Sequence, residues 1–233
     1  MGETTIGNQT LNVAQSALAG GNPQMALTVA NAVLKSNPDD AEALIIRGDA
    51  YFVLKNCAAA SADYQKALHI SPHAVDAELG LGRCALPNDP RAATIDFTRA
   101  TSDAPKNAAA FNDLGIALAD QSEFTGAARA FRSALAITPS MQSARVNLGL
   151  TLALAGQPGE GETILGPIAR SAATNPRVRA DYATALALAG HPSSAQRILL
   201  TDMPAVEAQA TVAQMDRLKN LPAAAAIPKP TPG

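Results

Sequence analysis

The chain has 233 residues, room for one or two ordinary domains or for about seven units of a helical repeat of roughly 34 residues. Its 18 basic and 20 acidic residues give a formal charge of -2 with no block of like charge, which argues against a nucleic-acid-binding face and a polybasic membrane patch. Hydrophobic residues reach 47% but aromatics only 3%, so alanine carries much of the apolar content, and that suits closely approaching helices better than a wide core.

The start Met1-Gly2-Glu3-Thr4-Thr5-Ile6 has neither the basic opening nor the apolar stretch of a signal peptide. Ile6 stands where a myristoylation signal wants Ser or Thr. Two readings stay open: a cytoplasmic protein, or a mature form with its leader replaced by a start codon, which places it in the periplasm or at the outer membrane. No apolar run approaches the roughly 18 residues of a membrane span.

Residues 1–6 are short and polar and are expected to be flexible. Over residues 7–40, Thr10, Val13-Ala14, Ala17, Ala26, Ala30 and Pro38 fall at the spacing of a two-helix unit. Its inner turn is Gly20-Gly21-Asn22-Pro23, with Asn22 as helix cap and Pro23 in the first helical position. Asn37-Pro38-Asp39-Asp40 closes the unit, and Asp39 or Asp40 caps the next helix. Residues 41–74 repeat the pattern with Leu44, Arg47-Gly48, Tyr51, Ala60, Tyr64, Ala67 and Pro72, Arg47 being the one odd entry.

Residues 75–107 keep Gly82, Ala93, Phe97, Ala100 and Pro105 but lose one residue in the inner turn Leu86-Pro87-Asn88-Asp89-Pro90. Two prolines stiffen that turn and start the second helix near Pro90. Residues 108–141 hold the best-preserved copy: Phe111, Leu114-Gly115, Leu118, Ala127, Phe131, Ala134 and Pro139. Small residues at Gly115, Ala127 and Ala134 let two helices approach, the large ones fill between them, and Pro139 stops the second helix. The closing Pro38, Pro72, Pro105 and Pro139 are separated by 34, 33 and 34 residues.

Residues 142–175 carry Leu148-Gly149, Leu152, Gly156, Gly161 and Leu165, and close late, at Pro176. Pro167 inside the second helix is expected to kink or shorten it. The string Leu152-Ala153-Leu154-Ala155-Gly156-Gln157-Pro158 recurs 34 residues later as Leu186-Ala187-Leu188-Ala189-Gly190-His191-Pro192, within a sixth unit over 176–203. Residues 204–220 read as one more amphipathic helix, with Val206, Ala210, Val212, Met215 and Leu218 on one face, capping the apolar end of the stack. The Pro/Ala tail over 221–233 is expected to be disordered or extended.

An aromatic, a Leu-Gly, a large residue, Ala-x-x-x-Phe and a closing Pro make a pattern that resembles the tetratricopeptide repeat over residues 7–203, with Phe111 for the usual Trp and Leu118 for the usual Tyr. The resemblance implies an all-α fold: a right-handed α-solenoid of about six helix-turn-helix repeats plus a C-terminal capping helix. More narrowly, the C-terminal third is similar to the TadD-like assembly proteins of the Flp (tight-adherence) pilus. The residues that carry this are Asn147-Leu148-Gly149-Leu150-Thr151-Leu152-Ala153-Leu154-Ala155-Gly156 and Arg177-Val178-Arg179-Ala180-Asp181-Tyr182-Ala183. That similarity implies an envelope-associated helper in pilus or secretion assembly, commonly lipid-anchored.

In this repeat family the first helix of each unit lines the concave face. Mapped by slot, the implied groove is Leu11, Gln15, Ile45, Asp49, Phe52, Leu79, Arg83, Leu86, Asn112, Ile116, Val146 and Leu150. Its apolar centre at Ile45, Phe52, Leu79 and Ile116 is expected to supply affinity, while Asp49, Arg83 and Asn112 set register. Such a trough suits a partner helix or an extended hydrophobic segment. The alternative is that several of these residues only pack between helices. Repeat proteins that hold a chaperone's C-terminal carboxylate resemble one another in a Lys/Asn clamp. No lysine occupies the corresponding slots here, and Asp49 would repel a carboxylate.

No metal or cofactor is expected. Pro72 breaks the spacing between His69 and His73, and His191 sits in a turn. Cys57 starts a second helix and Cys84 falls late in the following first helix; they are either bridged, in an exported protein, or free and buried as small apolar residues. There is no phosphate loop, GxSxG or HExxH, and Gly80-Leu81-Gly82 and Gly159-Glu160-Gly161 read as packing or turn glycines. The expected function is a non-enzymatic scaffold or adaptor that binds a protein or peptide partner in bacterial pilus (Flp/Tad) or secretion assembly. The alternatives are a structural spacer or oligomerisation module of another envelope or polysaccharide-export system, and a regulatory repeat domain serving an enzyme in another chain.

Overall fold

The computed structural model describes residues 3–171 and 175–218, which form thirteen α-helices and no strand. In chain order they are α1 (Glu3–Ala19), α2 (Pro23–Ser36), α3 (Ala41–Val53), α4 (Cys57–Ile70), α5 (Val75–Ala85), α6 (Pro90–Asp103) and α7 (Ala108–Asp120). There follow α8 (Phe124–Ile137), α9 (Gln142–Leu154), α10 (Pro158–Ala169), α11 (Pro176–Leu188), α12 (Pro192–Leu199) and α13 (Ala205–Arg217). Helix α1 begins within the stretch expected to be flexible, and the tail over 221–233 lies outside the described residues.

The short turns have local causes. Asn22, Asp40, Asn56, Asp89, Asn107 and Asn175 each accept a hydrogen bond from a backbone N–H in the first turn of the following helix. That satisfies donors a helix start otherwise leaves bare. Of the two candidates before α3, Asp40 is the cap. Proline occupies the first position of α2, α6, α10, α11 and α12, where its missing N–H is harmless.

Within five of the six units, one slot of the inner turn is left-handed. Gly21, Lys55, Ser122, Gly156 and Gly190 all have φ between 60° and 89°. The next residue's N–H reaches back to the carbonyl of Ala17, Tyr51, Leu118, Leu152 or Leu186 at 2.8–2.9 Å, closing the preceding helix the same way each time. The connection between α5 and α6 differs: α5 stops after 11 residues, against 13 in α3, α7, α9 and α11, and four residues make the turn where the others use three. It has no left-handed residue, and the N–H groups of Asn88 and Asp89 both turn back to Ala85.

The chain forms two compact units, residues 1–106 and 107–233. In the first, α1 to α6 pack each on the next, and the first helices also meet directly, α1 with α3 and α3 with α5. In the second, α7 to α12 do the same, α9 touches both α7 and α11, and α13 rests on α11 and α12. The inward face of α13 is Ala208, Val212 and Met215 rather than the face through Val206, which is 80% exposed. Positions 208, 212 and 215 follow the helical i, i+4, i+7 stripe, and Val206 lies well off it. Helix α10 continues through Pro167 but stops two residues later, shorter than the 14-residue α2, α4, α6 and α8.

Aromatics over glycines build the contact between a unit's two helices. The Phe97 ring lies on Gly82 and the Phe131 ring on Gly115, so close that a Cβ on either glycine would sit 2.4 or 2.5 Å from the ring. Tyr64 lies against two glycines, Gly48 of α3 and Gly80 of α5, and joins one unit to the next. Its hydroxyl donates to Asp49 Oδ1 at 2.7 Å.

Candidate functional site

Each compact unit carries its own first-helix face. In the first unit, α3 and α5 leave Ile45, Phe52 and Leu86 half-buried, with Gln15 on α1 and Arg83 on α5 exposed beside them. Leu11 and Leu79 are 1% and 4% exposed; they pack between helices and back the surface instead of presenting to it. Asn112 and Val146 take the same place in the second unit at 9% and 8%, leaving Ile116 and Leu150 as the half-exposed apolar groups there.

The polar members already have partners inside the protein. Asp49 accepts the Tyr64 hydroxyl, and burial raises its carboxyl above the ordinary range, against the lowering effect of that hydrogen bond. Gln15 Nε2 donates to Glu42 Oε1 at 3.3 Å, linking α1 to α3. Asn112 Oδ1 accepts from Asn147 Nδ2 at 3.2 Å, linking α7 to α9. Nothing local in the sequence marks Asn147 and Glu42, because each owes its role to a side chain on another helix. The Lys55 ammonium stands 5.9 Å from the centre of the Phe52 ring and puts a cation at one end of the apolar strip. Lys55 stands in the left-handed turn slot that Gly21, Gly156 and Gly190 fill in three other turns and Ser122 in one.

A second electrostatic feature lies on α5 and α6. Glu78 is 2% exposed and its Oε2 has no hydrogen-bond partner. Burial, helped by the Asp103 carboxylate, pushes its carboxyl up to about 7 from an ordinary 4.5, while Arg99 and His73 pull the other way. The folded chain therefore keeps a proton that the unfolded chain releases above about pH 4.5. Stability is full below that pH and is lost as pH rises through about 7. Asp49, Asp96 and Asp181, raised by burial, act in the same direction. So does His73, raised by its hydrogen bond to Asp103 at 2.8 Å, because its stabilisation is lost as pH climbs through its folded value. The melting temperature should fall between pH 5 and pH 8. Glu78→Gln should remove the largest share, up to about 3 kcal/mol; an unchanged pH profile in thermal melts of this variant would contradict the assignment.

Residues 11–75 and 88–142, just over half of the chain, match the model of a tetratricopeptide repeat family. The chain belongs to the tetratricopeptide repeat family. Among curated proteins no sequence matches it. Solved structures do. PilF of Pseudomonas aeruginosa is 16% identical with a TM-score of 0.77, over 92% of this chain and 100% of that one. PilW, described as a widely conserved type IV pilus biogenesis factor, is 24% identical with a TM-score of 0.76, over 89% and 98%. YrrB, described as a tetratricopeptide-repeat protein with an unusual peptide-binding site, is 20% identical with a TM-score of 0.64, over 82% and 98%. At these identities the likeness is one of fold. Among the described residues no helix is long and apolar enough to cross a membrane.

Proposed function

We propose that this repeat protein is a non-enzymatic scaffold that holds a segment of a partner protein on its first-helix faces during assembly of a bacterial pilus or secretion system. The observation that carries the reading is the strip of Ile45, Phe52 and Leu86 in the first unit. Ile45 and Phe52 on α3 and Leu86 just past the end of α5 remain half-buried, while Gln15 and Asp49 beside them are tied to protein partners. An apolar helix face or extended segment laid there removes the strip from water and breaks neither of those bonds. The envelope setting is supported by the TadD-like strings near Asn147 and Arg177 and by the shared fold of two pilus proteins, PilW and PilF.

Substitution on the strip provides the test, with Flp pilus and secretion components as candidate partners. Phe52→Asp should weaken co-purification of the cognate component at least tenfold, a change of roughly 1.4 kcal/mol or more. Ile116→Asp tests the second unit in the same way. Ile95→Asp, at a 57% exposed position of second helix α6, should leave capture unchanged. Equal capture by the Phe52→Asp and native chains, both shown folded by circular dichroism, would sink the assignment of this face.

A further inference from the structure

Cys57 opens α4, and Cys84 is the last residue but one of α5; these two helices pack directly on each other. Both cysteines are free thiols, Cys84 buried in the core of the first unit and Cys57 half-buried against that core. Cys84 and Ser61 of α4 line one cavity, and Cys57 lies one turn before Ser61 on the same side of α4. Cysteines brought to one helix interface meet the first requirement for a disulfide, that packed elements already hold both side chains on the same side of the core.

We infer that Cys57 and Cys84 form a redox-responsive pair that closes to a disulfide on exchange with a small-molecule disulfide such as oxidised glutathione. The surroundings assign the roles. Cys84 is covered by protein, and burial, followed by the influence of the neighbouring Cys57 thiol, holds its thiol above the ordinary range. Cys57 is the thiol that solvent reaches. It loses its proton to water, and the thiolate attacks one glutathione sulfur, forming a mixed disulfide and expelling glutathione thiolate. Cys84 then gives up its proton and attacks the Cys57 sulfur, breaking the mixed bond and releasing the second glutathione thiolate. The two expelled thiolates take up the two protons. In balance, the pair is oxidised by two electrons and one glutathione disulfide is reduced to two thiols.

Closure would tie the first turn of α4 to the last turn of α5, and so fasten the unit over 41–74 to the unit over 75–107. The strip residues Phe52 and Leu86, and Arg83 beside them, lie within five residues of the bridge along the chain. Exposure of a Cys84-linked path to the oxidant is not required, since only Cys57 needs to meet it.

The test is to hold the native full-length chain with oxidised glutathione, quench in acid, and measure intact mass and linked peptides. The native chain should lose two hydrogens and yield a peptide joining Cys57 to Cys84. Its melting temperature should rise by several degrees, and dithiothreitol should reverse both changes. Cys84→Ser should trap one glutathione on Cys57, and Cys57→Ser should take up none, with Cys57→Ala in its place if serine unfolds this half-buried site. Two free thiols, or a stable glutathione adduct on the native chain with no internal bridge, would overturn the pairing. Partner capture plays no part in these readouts, so they stand or fall apart from the scaffold reading.

Discussion

Arg47→Ala should cost about 3–5 kcal/mol of stability, because it strands a buried carboxylate. Arg47 occupies a slot where leucine is usual in this repeat. Its Nε and Nη2 donate to Asp63 Oδ2 and Oδ1 at 2.7 and 2.6 Å, a two-pronged pair between α3 and α4, and its Nη1 donates to Asn31 Oδ1 at 2.9 Å on α2. The Asp63 side chain is 8% exposed, so its carboxylate depends on the guanidinium for most of its solvation. The pair itself need contribute little, since two charges had to leave water to form it. Arg47→Leu together with Asp63→Leu should therefore recover most of the single-variant loss. Urea unfolding of the native chain, both single variants and the double variant closes the cycle. A single-variant loss below about 1 kcal/mol would show that the carboxylate finds other solvation.

Gly80→Ala should be the next most damaging change, at about 2–4 kcal/mol. A Cβ at this position would stand 2.3 Å from Tyr64 Cζ and 2.5 Å from Cε2. Tyr64 is 1% exposed, faces Gly48 as well, and is held by its hydroxyl bond to Asp49. The ring can yield only by losing that bond or by pressing on α3. The better helix propensity of alanine returns only about 1 kcal/mol. Gly159→Ala is the control, since nothing lies within 4 Å of its Cβ position in the first turn of α10, and it should be neutral or slightly stabilising. Thermal melts of the two variants distinguish crowding from propensity. Similar melting temperatures for both would remove the argument that Tyr64 is clamped.

The repeat architecture was legible in the chain because its determinants are local. A cap such as Asn22 acts on a backbone N–H three residues away, and a left-handed residue such as Gly156 closes the helix just before it. Prolines at fixed intervals mark the same junctions. None of these needs a distant partner, so a periodic string of them is sufficient to set where helices begin and end. The candidate surface was legible only in part. Slot mapping located a face on the first helices. Separating Phe52, half-exposed, from Leu79, 4% exposed, required knowing how far neighbouring helices lean over each position.

What the sequence determined by itself was the family, the order of helices and the turn chemistry, all written in residues that act within a few positions of one another. The tertiary structure alone decided which first-helix residues remain open, and why Arg47 can stand in a leucine slot. It also decided that Tyr64 closes over two glycines, that Asn147 steadies Asn112, that Glu78 is buried without a full set of partners, and that two cysteines 27 positions apart meet at one helix interface. The physical reason is the same in each case. Burial and side-chain pairing depend on the lateral offset between packed helices, and a repeat period sets the spacing along the chain but not that offset.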